Sequence, residues 1–241
     1  MDLNWFNRRE KVKCGKYRLS LRLRNTEKHM LIKKWLRATP LRFVLELYSL
    51  QHEYLREVGW IRSWSAGGPV DREGAPLPWL AYPVISFLDK RMNHEMEIFE
   101  YGSGFSTIWL AKRVKQITSC ENDAQWHAKA TDMLEPFDNA AVQLQESKED
   151  YVAVISNYTH QFDVIIIDGR WRTECVQNCL PALTEQGVII FDNSDREQYQ
   201  PGLDFLANAG FKRIDFVGLA PLAHHASQTS VFYRTENVFR I

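Results

Sequence analysis

This chain has no stretch of 18 consecutive apolar residues, so no helical membrane span is expected. Its basic N-terminus has no apolar core behind it, so no secretory signal is expected there and a cytoplasmic location is. Cysteine is scarce: four in 241 residues, at Cys14, Cys120, Cys175 and Cys179, do not make a disulfide framework. Cys120 sits in an apolar run and reads as a small core residue. Cys175 and Cys179 lie four apart on an expected helix, a spacing that could pair them on a metal, but no other soft ligands cluster nearby. Net charge is absent as well, at +0, yet its distribution is uneven.

Residues 1–42 hold 13 Lys and Arg against Asp2, Glu10 and Glu27, leaving 17 bases and 27 acids for the remainder. Such an arm suits anionic lipid heads, placing the protein at the inner face of a membrane, or a phosphorylated acceptor. The plain alternative is an arm that docks on its own acidic body. Nucleic acid is the less favoured partner, and self-association is left open. Interleaved Trp5, Phe6, Tyr17 and Trp35 argue against a purely solvated tail. Residues 19–23 alternate like a strand, and 30–36 read as a short basic amphipathic helix.

A helix is expected over 41–58 from the apolar spacing of Leu41, Val44, Leu45, Tyr48 and Tyr54 or Leu55. Residues 65–78 are rich in Gly and Pro and end in the apolar Pro78-Trp79-Leu80-Ala81-Tyr82-Pro83. This segment is expected to be either an aromatic wall beside a crevice or a structural strap. The domain boundary is placed at 78/79, with a further short helix at 85–91. From residue 96 strands are expected at 96–101, 116–121, 140–145, 163–168, 187–192, 213–218 and 229–234. Helices fall between them near 106–114, 124–134, 149–156, 173–184 and 198–208. This alternation implies an α/β sheet with helices on both faces.

The sharpest signal is Ile98-Phe99-Glu100-Tyr101-Gly102-Ser103-Gly104-Phe105-Ser106-Thr107, an apolar strand entering a Gly-x-Gly turn that opens a helix. The next strand ends on an acid, Glu121. Glycines there let backbone approach a ligand, and a carboxylate at the second strand end can accept both ribose hydroxyls. The third glycine of a dinucleotide fingerprint is replaced by Thr107, which disfavours a pyrophosphate cofactor. A nucleoside without phosphates, S-adenosyl-L-methionine, fits better. These residues resemble the first two motifs of class I S-adenosylmethionine-dependent methyltransferases. The resemblance covers about residues 80–241 and implies a Rossmann-like, doubly wound, seven-stranded sheet ordered 3-2-1-4-5-7-6 with its last strand antiparallel. The expected cofactor-binding set is Glu100, Gly102, Ser103, Gly104, Ser106, Glu121, Ser147 and Asp168.

Two further apolar runs end on acids, at Asp168-Gly169 and at Asp192-Asn193. Their strand-end positions converge, and hard oxygens suit Mg²⁺. The spacing resembles catechol and caffeoyl-coenzyme A O-methyltransferases, which implies Asp168, Asp192 and Asn193 as metal ligands. Where those enzymes carry a lysine base this chain has Trp171, between Arg170 and Arg172. Arginine cannot serve as the base, so Arg170, Trp171 and Arg172 are read as acceptor-binding, with Asp168 and His225 as catalytic candidates. The competing reading has an arginine folding back between the two acids. The expected function is O-methylation of a small polar or glycan-type acceptor. The alternatives are an aminopropyltransferase-like enzyme on this scaffold, or a non-catalytic cofactor-fold module binding membrane or nucleic acid.

Overall fold

The computed structural model describes residues 40–241. The strand-like 19–23, the basic helix 30–36 and most of the basic arm lie outside the described residues. The chain divides after Leu47, and the unit Tyr48–Ile241 carries the sheet. The expected N-terminal extension, drawn to residue 78, therefore lies partly in this larger unit.

Helix α1, Pro40–Leu50, runs into a five-residue π-helical turn, Gln51–Leu55. Of the apolar stripe that suggested this helix, Val44, Tyr48 and Tyr54 are exposed. A second helix that the sequence did not reveal, α2 (Trp60–Ala66), is bounded by Gly59 and Gly67, both left-handed. Seven residues flanked by glycines are too short to show a helical period. The Trp60 indole donates to the carbonyl of Ala223 at 2.8 Å, and Trp64 stacks on His224 with centroids 4.5 Å apart. Buried Ser63 stitches the following strap in place, its hydroxyl donating to Val70 O at 2.9 Å and accepting from Val70 N at 3.0 Å. Helix α3, Tyr82–Asp89, starts three residues earlier than expected because Pro83 occupies its first turn, where a missing N–H costs nothing.

The remaining elements alternate. They are β1 (Glu97–Tyr101), α4 (Phe105–Ala111), β2 (Gln116–Glu121), α5 (Ala124–Leu134), β3 (Ala140–Leu144) and α6 (Lys148–Ala153). After them come β4 (Phe162–Ile167), α7 (Arg172–Cys179), β5 (Leu183–Asp192), α8 (Gln200–Asn208), β6 (Lys212–Leu219) and β7 (Ala226–Tyr233). The sheet order is β3-β2-β1-β4-β5-β7-β6, with β7 antiparallel to both neighbours. Strand β5 begins four residues before its expected start, and its pairing with β4 shifts register between Phe162 and Val164.

Residues of period two feed two cores. Ile98, Ile117, Val164, Ile166, Val188 and Ile190 face one side, under α3 and α4. Phe99, Tyr101, Ile165, Ile167, Ile189 and Phe191 face the other, under α6, α7 and α8. Continuous apolar strands are what a sheet covered on both faces requires. Cys120, Cys175 and Cys179 are buried in the second core, so the cysteine pair on α7 packs rather than ligates. Trp109 is likewise buried in the first.

Register places the site. Tyr101 pairs with Cys120 and with Ile167, and Ile167 pairs with Phe191. One step further along each parallel strand, Gly102, Glu121, Asp168 and Asp192 come out in a single row at the C-terminal edge.

Candidate active site

A cavity of about 580 Å³ opens along this row, with Glu100, Gly102, Ser103, Ser106, Glu121 and Asp168 on its wall. The turn between β1 and α4 is held from below. Glu100 is 1% exposed, and its Oε2 accepts from Thr107 Oγ1 at 2.6 Å and Ser119 Oγ at 2.8 Å. Thr107 Oγ1 in turn accepts from the Gly104 N–H at 2.9 Å. Thr107, which breaks the dinucleotide fingerprint, thus ties the turn to the strand beneath it. Burial raises the Glu100 pKa, against the pull of hydrogen bonds from Ser106, Thr107 and Ser119. Gly104 has φ 140°, outside the range other residues readily adopt, and a Cβ there would come within 3.0 Å of the Trp126 ring.

Glu121 is 8% exposed. Its Oε1 accepts from the N–H groups of Asn122 and Asp123 at 2.8 and 3.0 Å, and its Oε2 from Ser103 Oγ at 3.1 Å. All three donors are neutral, and acceptor capacity remains at Oε2 on the cavity side. Asp123 also caps α5, accepting from Trp126 N at 2.8 Å, so the strand end and the helix start are one rigid turn.

The other half of the row is organised by a cation. The Arg172 guanidinium spends all five N–H directions on this edge. Nε donates to Gly169 O at 3.0 Å, and Nη2 to Asp168 O and Oδ1 at 2.7 and 2.9 Å. Nη1 donates to Asp192 O and Oδ2 at 2.5 and 3.4 Å. Asp192 Oδ1 accepts from Thr229 Oγ1 at 2.6 Å, and the Asp192 side chain is 4% exposed. Burial and the neighbouring Asp192 raise the Asp168 pKa well above the ordinary value, with Arg172 pulling the other way. Trp171 (φ 46°) and Asn193 (φ 53°) adopt left-handed backbone where the chain leaves β4 and β5. Strain of this kind clusters at functional sites.

This arrangement corrects the expected metal set. Arg172 already sits between Asp168 and Asp192, and Asn193 turns its amide to Ser227 Oγ at 3.3 Å. Among the described residues no cluster of three or more His, Cys, Asp or Glu could hold an ion. The donor set does not fit a resident Mg²⁺. Arg172, expected to bind the acceptor, has its N–H groups taken up by Asp168, Gly169 and Asp192 and serves as an internal counter-ion on the cavity wall. His225 is exposed and is not part of the cavity wall. Ser147 caps α6, accepting from Asp150 N at 3.0 Å, and also lies outside the wall. Both expectations assumed that a loop near the right strand end reaches the crevice, and these two do not.

Arg170, Trp171 and Arg172 all line the cavity, and Arg170 also lines an adjoining one of about 340 Å³ beside Glu121, Asn122 and Trp126. The wall includes residues that the motifs did not indicate: Tyr151, Arg196, Gln198 and Tyr199. Tyr151 is 1% exposed, and a Cβ on Gly169 would lie 1.9 Å from its hydroxyl. An acid or glycine pattern carries no signal for a helix residue like Tyr151. The others follow the Asp192-Asn193 strand end, whose chain direction the sequence left open.

Residues 99–194 match a family model described as a methyltransferase domain. No curated protein matches the chain. Among solved structures, a precorrin-6y C5,15-methyltransferase from Geobacter metallireducens aligns with TM-score 0.51 at 14% identity, over 64% of this chain and 88% of that one. A spermidine synthase from Thermotoga maritima aligns with TM-score 0.49 at 16% identity, over 62% and 56%. An N-methyltransferase from Bradyrhizobium japonicum aligns with TM-score 0.46 at 12% identity, over 62% and 92%. The fold is that of the class I methyltransferases. The matched residues 99–194 take in Gly102, Glu121, Asp168 and Asp192.

Proposed function

We propose that the protein methylates a hydroxyl oxygen of a small polar or glycan-type acceptor. One observation carries this reading: a carboxylate held only by neutral donors, Glu121, shares a cavity and a strand-edge row with Asp168, whose pKa is raised. Glu121 would accept the ribose hydroxyls through its remaining lone pairs, and the Gly102–Gly104 turn would let the donor approach backbone. The bound donor supplies an activated methyl on a sulfonium. Asp168 would take the proton of the acceptor hydroxyl as that oxygen is methylated, with S-adenosylhomocysteine as the leaving group. A raised carboxylate pKa makes that proton easier to take. The protein's share of the rate is mainly alignment of oxygen, carbon and sulfur, which can supply several kcal/mol.

Calorimetric titration tests the first half. S-adenosylmethionine and S-adenosylhomocysteine should bind with micromolar-range affinity and NAD should not; no heat from either sulfur ligand sinks the reading. The basic residues 1–42 are proposed to hold the enzyme at an anionic membrane surface. Full-length protein should sediment with phosphatidylserine vesicles at low salt, and protein lacking these residues should not.

A further inference from the structure

Beside the cofactor cavity lies a smaller one of about 310 Å³, with three aromatic walls: Trp79, Phe105 and Trp126. The Gly67–Gly68–Pro69 turn of the strap closes it, and Asp168 is the single charged residue on its lining. The two cavities share Ser103, Ser106 and Asp168. They are chemically unlike, since acids and arginines line the first and aromatic faces line the second.

Two of the aromatic walls are fixed. The Trp126 indole donates to Ser103 O at 2.8 Å, and Phe105 packs against Gly68, where a Cβ would come within 2.9 Å of its ring. The third wall is presented but unused. Trp79 is 54% exposed, while Leu80 and Ala81 after it are 2% and 0% exposed, so a large aromatic side chain stands on an anchored backbone. An aromatic ring held this way loses little freedom on binding and has apolar area to bury.

In-line methyl transfer requires donor and acceptor on opposite sides of the moving carbon. The two chambers meet at Asp168, so a donor in one and an acceptor in the other would come together there. We propose that the aromatic chamber seats the acceptor as a hydroxylated six-membered ring, its apolar face on Trp79 and its reacting hydroxyl at Asp168. This rests on the reading of Asp168 given above. The shared chemistry is a ring with one apolar face and an attached hydroxyl, as in a pyranoside or a phenol.

The test uses full-length protein, with and without S-adenosylhomocysteine, and ligand-observed NMR with methyl α-glucopyranoside, phenol and glycerol. One ring probe should bind, which separates sugar from arene, while glycerol, hydroxylated but ringless, should not. Trp79→Ala should weaken that probe about tenfold, and Trp79→Phe should restore most of the affinity. S-adenosylhomocysteine affinity should be unchanged in both variants. The proposal is overturned if neither ring binds, if glycerol binds equally, or if Trp79→Ala leaves ring binding intact. It is also overturned if Trp79→Ala loses cofactor affinity by the same factor, since Trp79 would then cover the cofactor. Failure of the wild type to bind S-adenosylhomocysteine defeats the methyl-transfer reading instead, and ring binding is still scored in the protein alone.

Discussion

The two halves of the strand edge solve one electrostatic problem in opposite ways. At β1 and β2 a single carboxylate, Glu121, is steadied by two backbone N–H groups and one hydroxyl, and keeps acceptor capacity for a ligand. At β4 and β5 two carboxyl groups share one internal arginine that has no donor to spare. The difference separates binding from scaffolding. A carboxylate satisfied by neutral dipoles remains a recognition group, whereas one satisfied by a buried guanidinium is largely committed to the fold. Asp168 lies between these extremes, its side chain 23% exposed against 4% for Asp192.

The largest effect should come from breaking the cationic half. Arg172→Ala leaves two facing carboxylates uncompensated and should cost about 3–5 kcal/mol, the range for opening a buried ion pair. Chemical denaturation checks it, and the loss should shrink at low pH, where Asp168 protonates. A loss equal at pH 5 and pH 8 would show that the arginine acts through packing alone. The neutral half should respond in binding rather than stability. Glu121→Ala should weaken S-adenosylhomocysteine by about ten- to a hundredfold, as for hydrogen bonds to a charged group, with little change in the denaturation midpoint.

The pH dependence sharpens the contrast further. Glu100 and Asp168 both have raised pKa values, burial being the largest cause in each case. A carboxyl raised on folding binds its proton more tightly in the native state. Its contribution is therefore full below the unfolded value, about 4.3 for Glu, and is lost as pH climbs through the folded value. The apo protein should lose stability as pH rises above the ordinary carboxylate range, and Glu100→Gln should flatten that decline. A wild-type stability that rises over the same interval contradicts the assignment. The smallest effect belongs to His225→Ala, which should leave stability within about 0.5 kcal/mol and cofactor affinity unchanged, as for surface changes away from special features.

Strand order came only from the resemblance to class I methyltransferases, whereas strand positions were legible because buried parallel strands are apolar throughout and end abruptly on Gly or an acid. The edge row was legible for the same reason, since chain order alone puts Gly102, Glu121, Asp168 and Asp192 at one end. What those ends do to one another was not. Whether Arg170 or Arg172 folds inward depends on the left-handed turn at Trp171, which a tryptophan does not advertise. Equally hidden was α2, whose position depends on Trp60 and Trp64 meeting the β6–β7 loop more than 150 residues away. Ser147 and His225 were misplaced because loop residues carry no periodicity to show which way they face.

The crowding at Gly169 bears on how this site can change over generations. A side chain there meets not only the Tyr151 hydroxyl but also Gly102 N at 2.9 Å and Tyr101 C at 3.0 Å. The last two are backbone, so no compensating exchange at position 151 makes room. In a library randomised at 169 and selected only for folding, glycine should be nearly the sole survivor, with or without Tyr151→Phe. The neighbouring exposed Arg170 should meanwhile drift freely under that selection. New acceptor preferences can then be explored one residue away from a position that admits no variation.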